Sequence, residues 1–366
     1  MKKAATTICL AIYSLGSIAQ QSSLQIKNLL PHLSYIPSKS FTSLAYTGSD
    51  SVSFYTPRTA SAHGFYISRF EVTNKEYREF VLYVRDSMAH ILLKHFKKES
   101  KLIDWNRKIN WDDPLLESMM LSPDERIFGK NEINTNKIMY ELDFPGQKEI
   151  ISIYPDTLVW IRDFAYSYNE PLVKKYFSDK LYDNYPVVGI NNKQTMAFCH
   201  WKTRQLNKFL KKAGNEYSVT LRLPTNTEWE SAAIGSKKEN EMFSPGSKYR
   251  SNFGTITDKN SFVVKNYHDD GYYYTGPVSS YTAGAYGLYN MKGNVSEWTS
   301  DAASTIMNDQ NNIGDGDLEM KQSFIVKGGG WKSNPFYLQT GACQFFPATA
   351  ANSFIGFRYV VYIIKK

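Results

Sequence analysis

The sequence predicts a single α+β domain with little regular secondary structure, and three observations carry that expectation. Short apolar runs alternate with polar turns from residue 33 onward, and two helix starts bring their own capping residues. The third is 26 Tyr and 21 Phe with no Pro/Gly/Ser-rich, low-complexity or repeated tract between them, so one large aromatic core is expected. A length of 366 residues would allow two domains. Linker composition is missing.

Residues 1–19 read as a secretory signal: Lys2 and Lys3, the apolar run Ile8–Tyr13, then Ser17-Ile-Ala19 as a small-x-small cleavage site. The apolar run is far short of the roughly 20 residues a membrane span needs. Cys9 follows Ile8 too early to be a lipid-attachment cysteine, so an exported, non-lipidated protein is expected, with residues 20–32 as an N-terminal segment before a domain over 33–366. Loss of Lys2 and Lys3 lowers the formal charge from +8 to +6. No dense Lys/Arg stripe interleaves with aromatics, which argues against nucleic acid as a partner. Beyond Cys9 there are Cys199 and Cys343, either one disulfide or two buried thiols, the thiols being the expectation.

Leu33–Pro37 and Gly64–Val72 read as strands separated by a polar loop. Thr73-Asn-Lys-Glu76 is a capping box, and Tyr77, Phe80, Val81, Val84, Met88, Ile91 and Leu92 follow on one helical face. From 86 to 184 the chain is charged, weakly patterned and aromatic, including Trp105, Trp160, Phe164, Tyr166 and Tyr168, and reads as a folded insertion. Within it, 150–155 and 157–163 look like short strands. Tyr185–Ile190 reads as a buried strand, and Asn191 or Asn192 caps a helix carrying Ala197, Phe198, Trp201, Leu206 and Phe209. His200 on that helix reads as a structural hydrogen-bonder. After Val219–Arg222, Thr225 and Glu228 form a second capping box, and Gly235 ends a short helix. Strands are expected at 324–331 and 355–362, with close backbone approach at Gly328–Gly330.

The chemistry concentrates in Tyr286–Asp301. In an extended segment alternate residues face one way, so the carbonyls of Gly293 and Val295 and the carboxylate of Glu297 can converge, with Asn290 closing the ring across the turn. Such oxygen donors suit Ca²⁺, and no nearby imidazole or thiolate invites zinc or copper. The alternative is a strand entered through a Gly-Asn turn, with Trp298 in the core and Glu297 solvated. Asn252 followed by Phe253, and Asp270 with Tyr272 two residues on, offer a second oxygen pairing.

Val72-Thr-Asn74, Tyr185-Pro-Val-Val-Gly, Arg222–Glu230, Tyr286-Gly-Leu-Tyr, Gly293–Trp298, Gly328-Gly-Gly-Trp331 and Gly356-Phe-Arg358 together resemble the formylglycine-generating-enzyme (sulfatase-modifying factor) domain family, in family order across 33–366. The resemblance implies a C-type-lectin-related fold with bound structural calcium. Carried over, one site falls on Asn290, Gly293, Val295 and Glu297, the other on Asn252, Phe253, Asp270 and Tyr272. The oxidase members bind copper through two cysteines just after the Gly-rich turn. Here those positions hold Ser333 and Leu338. Leucine cannot ligate and serine is not a soft donor, so neither copper nor catalytic residues are expected. Cys199 and Cys343 match one cysteine from each of two family disulfides, whose partner positions hold Tyr359 and Ala233.

Glu79–Ser87, Tyr154–Pro171 and Tyr182–Pro186 resemble the gliding-motility and type IX secretion proteins GldK (PorK) and GldJ. That resemblance implies a non-catalytic structural component on the periplasmic side of the outer membrane, partnered by GldN (PorN)-like ring proteins and compatible with a homo-oligomer. Two other readings remain. One is a cofactor-dependent thiol oxidase using a cluster such as His200, His268 and Cys343; the other is a calcium-dependent lectin-like module.

Overall fold

Strand pairing begins where the apolar runs place it. In the computed structural model, described over residues 30–49, 52–144, 147–163, 168–235, 251–257, 263–265, 267–307 and 323–366, β1 (Leu33–Ile36) pairs antiparallel with β4 (Phe65–Ser68). β14 (Val360–Lys365) adds to β4 and takes β7 (Tyr217–Arg222) on its other side, completing the order β1-β4-β14-β7. A second sheet has the order β12 (Gln344–Pro347), β11 (Ser323–Lys327), β10 (Ser296–Ala302), β13 (Ile355–Gly356), with β13 parallel to β10. Three two-stranded ribbons complete the sheet content: β2 (Lys39–Ser49) with β3 (Val52–Ala62), β5 (Met139–Phe144) with β6 (Gln147–Ser152), and β8 (Ile256–Thr257) with β9 (Val263–Lys265). The expected signal at 1–19, the segment 20–29, Phe164 and Tyr166 lie outside the described residues.

Both capped helices form, with one difference. α1 (Asn74–Leu92) starts where the Thr73 hydroxyl accepts the Glu76 N–H at 3.1 Å. The Glu76 carboxylate does not return to the cap; it pairs with Lys202 and accepts from the Tyr359 hydroxyl. A charged partner across the core outcompetes the local bond. Tyr77, Phe80, Val81 and Val84 are buried as expected, but Ile91 faces solvent. The last turn overhangs the main core, and Met88, Ala89 and Leu92 turn toward a satellite cluster around Leu116 and Met119. After α2 (Val159–Arg162) and α3 (Glu170–Lys175), α4 (Asn192–Lys212) begins at a complete capping box of Asn191 and Gln194. Phe209 is exposed and Leu210 takes its place inside. α5 (Asn226–Ala233) closes its Thr225–Glu228 box in both directions.

Three expectations are corrected. The polar loop between 37 and 64 is the β2–β3 hairpin, paired along its whole length. Its Ser/Thr content looks loop-like, but β-branched Thr42 and Thr59 suit a pleated ribbon. The strand expected at 157–163 is instead the helical turn α2. Asp156 accepts the Leu158 N–H and pairs with Arg162 six residues on, which only a coiled backbone permits. Tyr185–Ile190 is buried from Pro186 onward yet forms no regular strand. Val187 N–H bonds Val72 while Gly189 N–H bonds Asn352, so its hydrogen bonds go to two different segments rather than one ladder.

One core unites these elements. Tyr77 stacks on Phe198 at 5.7 Å, and Phe198 meets Phe357 edge-on at 5.4 Å. Trp298, Val326, Val219 and Val361 bring both large sheets into the same cluster. Cys199 and Cys343 are buried free thiols, and burial raises the pKa of each. His200 bonds the Tyr140 hydroxyl at 2.9 Å, as a structural residue should. Among the described residues no helix is long and apolar enough to cross a membrane.

Candidate cation loops and a remodelled turn

The Glu297 carboxylate lies at the centre of the molecule's buried charge. β10 turns it inward, where it is 1% exposed and accepts two bonds of 2.7 Å from the fully buried Arg358 and one of 2.7 Å from the Trp229 indole. Arg358 also donates to the carbonyls of Ser68, Arg69 and Tyr289. A fork of donors shared between a carboxylate and three carbonyls satisfies the guanidinium without water.

Beside this pair is a second buried carboxylate. Glu71 accepts from the side-chain amides of Asn290 at 3.2 Å and Asn294 at 2.9 Å. Burial pushes its pKa up to about 8, helped by Glu297 and opposed by Arg358. Arg358 bonds Glu297 directly, whereas Glu71 feels the guanidinium only through space.

The chain reverses here through a tight turn with positive φ at Asn290, Gly293 and Asn294. A Cβ on Gly293 would lie 2.4 Å from the Asn252 carbonyl, so only glycine permits the approach. Asn294 N–H then donates to that carbonyl at 2.8 Å. The two expected oxygen loops are therefore in direct contact.

Each loop holds an orphaned amide oxygen. Asn290 donates its NH₂ to Glu71 and to Val278 O, while its Oδ1 is buried without a hydrogen-bond partner. Asn252 donates to Tyr274 O, and its Oδ1 is likewise buried and unpartnered. The Asp270 carboxylate is drawn to the same loop by the N–H groups of Phe253 at 3.1 Å and Tyr272 at 3.3 Å. Leaving a buried acceptor unmet costs about 1–3 kcal/mol. A hard cation satisfies such oxygens.

The first loop set, Asn252, Phe253, Asp270 and Tyr272, fits an oxygen-coordinated cation. In the second, Glu297 is already neutralised by Arg358, so the Asn290 oxygen and the carbonyls of Gly293 and Val295 would carry more of the coordination. Among the described residues no group of three or more His, Cys, Asp or Glu gathers to hold a metal. Each loop offers amide and main-chain oxygens with a single carboxylate, Asp270 in one and Glu297 in the other.

The Gly-rich turn after β11 is built differently from a thiolate site. The Ser333 hydroxyl accepts the Gly330 N–H at 2.9 Å, and Ser333 O accepts from Gly254 beside the Asn252 loop. Leu338 is buried, its methyl 3.1 Å from where a Gly329 Cβ would lie. Cys343 is held elsewhere, 3.4 Å from the buried Lys327 ammonium, which also pairs with Glu230 at 2.9 Å. A cleft of about 540 Å³ opens beside Glu71. Its Lys202 and Glu76 pair with each other.

A family model, the sulfatase-modifying factor enzyme 1-like domain, matches residues 27–363. The chain belongs to this family. Its relatives include the formylglycine-generating enzyme of Mus musculus, 35% identical over 121 residues, 32% of this chain and 27% of that protein. Another, described as the inactive C-alpha-formylglycine-generating enzyme 2 of Bos taurus, is 30% identical over 117 residues, 32% of this chain and 33% of that protein. The matched stretch thus spans a third or less of either relative's length. Among solved structures, PvdO from Pseudomonas aeruginosa aligns with a TM-score of 0.45 and 19% identity over 90% of this chain and 93% of that one.

Sequence reasoning did not single out Glu71 or Trp229, and it quoted Arg358 only within a family motif. A readable signal existed for Glu71: a lone carboxylate between Phe70 and Val72 in an apolar run requires a buried partner.

Proposed function

We propose that this family member is a non-catalytic assembly component of a type IX secretion or gliding apparatus, acting at the periplasmic side of the outer membrane. The observation that carries the reading is the turn at 328–338. The Ser333 hydroxyl is bonded within its own loop and Leu338 is packed, so no soft ligand pair is present there for copper. The described inactivity of a bovine relative supports a role for this domain apart from oxidation.

The insertion supports partner contact. Of the seventeen large apolar side chains exposed among the described residues, eleven fall between 86 and 184, including Leu102, Trp105, Leu115, Phe128, Ile150 and Tyr168. Aromatic residues of this kind are enriched in interface cores. GldN (PorN)-like ring proteins, or further copies of this chain, are the proposed occupants. Calcium, held by Asn252, Phe253, Asp270 and Tyr272 and by Asn290, Gly293, Val295 and Glu297, is proposed to fix the loops without entering any reaction.

Cross-linking mass spectrometry on intact envelopes is the test. Cross-links from the 86–184 surface to secretion-ring proteins are expected. Recovery of none, or conversion of a cysteine peptide to an aldehyde by the purified protein, defeats the proposal.

A further inference from the structure

We propose that His90 and His95 form an acid-released clasp at the C-terminal end of α1, closed while the pair carries at most one proton beyond the neutral state and opened by a second. Their Nδ1 atoms are 3.0 Å apart and both rings are buried. Around them the main chain is tied down: His95 N–H bonds His90 O at 2.8 Å, and Asp104 N–H bonds His95 O at 2.9 Å. Trp105 meets the His90 ring edge-on at 5.3 Å and stacks on Tyr83 at 5.0 Å. The pair therefore fastens the 94–105 segment to the helix.

An Nδ1–H···Nδ1 bond needs one bare nitrogen. In the neutral pair, one ring donates from Nδ1 and the other accepts there while keeping its proton on Nε2. One added proton goes to the donor ring's Nε2, and the bond persists in charge-assisted form. A second proton has only the bare Nδ1 to occupy. It removes the hydrogen bond and leaves two buried imidazolium rings in contact.

The surrounding charges do not cancel this effect. Burial, Arg107 and His90 hold the His95 imidazole below its ordinary value, against the opposing pull of Asp104 and Asp113. On the adjoining segments Arg85 pairs with Asp86 and Arg126 with Glu117, while Lys94, Lys97, Lys98, Glu99 and Lys101 on the clasped segment itself are exposed, where solvent screens them.

The sign follows from proton counting. Below about pH 6.5 the open pair fills toward two protons while the closed clasp holds one, so the difference approaches one proton about a unit lower. Opening is then favoured about tenfold per pH unit until the depressed folded value is reached. Release frees the segment bearing Phe96, Leu102 and Trp105. The clasp is thus an acid-sensitive control on how part of the insertion is displayed, and it does not depend on which partner binds there.

Hydrogen exchange by mass spectrometry on the full-length protein tests the clasp, from about pH 7.5 to pH 5, corrected for intrinsic exchange. Protection at residues 94–105 should begin to fall below about pH 6.5 and approach tenfold per pH unit near about pH 5.5, while α4 stays protected. His95→Asn, which keeps a neutral polar group near Nδ1, should flatten that dependence. Three results overturn the clasp: constant protection in the wild type, an undiminished fall in His95→Asn, or a fall shared equally by α4. Should His95→Asn not fold, the wild-type profile decides together with His90→Asn.

Discussion

Glu297 was legible in the sequence as an inward-facing oxygen on an alternating segment, but its partner was not. Arg358 lies 61 positions away and reaches Glu297 only because β13 and β14 bring the C-terminus beside β10. Removing one member of a buried pair leaves the other charge uncompensated, at about 3–5 kcal/mol. Glu297→Gln is therefore expected to lower stability by that amount, read as a shift of the urea midpoint at unchanged slope. A loss below about 1 kcal/mol would show that the Arg358 site relaxes or admits water. The orphaned oxygens of Asn252 and Asn290 stand at the same scale. Residue type and spacing pointed to both, whereas their lack of any donor is a property of the packed loops.

Among the elements, α5 was the easiest to foresee because its determinants are local. Thr225 and Glu228 close the capping box within four residues, and Arg222 adds two bonds to the Glu228 carboxylate. Burial would raise the Glu228 pKa, but the bonds from Arg222, Tyr362 and Thr225 outweigh it and hold the carboxyl below its ordinary value. A depressed carboxylate stabilises the fold above its unfolded pKa, and this contribution is lost as pH falls through the folded value. Thermal melts from about pH 6 to pH 3 should therefore show an acid-side loss that is smaller in Glu228→Gln; identical acid limbs would refute the assignment. Tyr185–Ile190 and Val159–Arg162 were misread for the opposite reason. An apolar run predicts burial, but the choice of ladder, turn or helix depended on distant hydrogen-bond partners and on the Asp156–Arg162 pair.

For the whole molecule, the contact between the two oxygen loops makes cation binding a matter of global stability. Gly293 and Asn294 press on the Asn252 backbone, so ordering one loop braces the other. Calcium at about a thousand times its dissociation constant would add about 4 kcal/mol per site. Chelation is expected to lower the melting temperature by several degrees, with recovery on adding Ca²⁺ and a reduced response in Asn252→Ala. Equal melting temperatures with and without chelator, in protein free of calcium by elemental analysis, would end the calcium proposal. By itself the sequence determined the fold class, the helix starts and the family, because these rest on local chemistry and ordered motifs. Only the tertiary structure decided that Arg358 pairs with Glu297 beside a second buried carboxylate, Glu71, that the oxygen loops touch, and that Ser333 is bonded within its turn. Those arrangements join segments up to about 290 residues apart, and no local preference encodes which buried charge will find which partner.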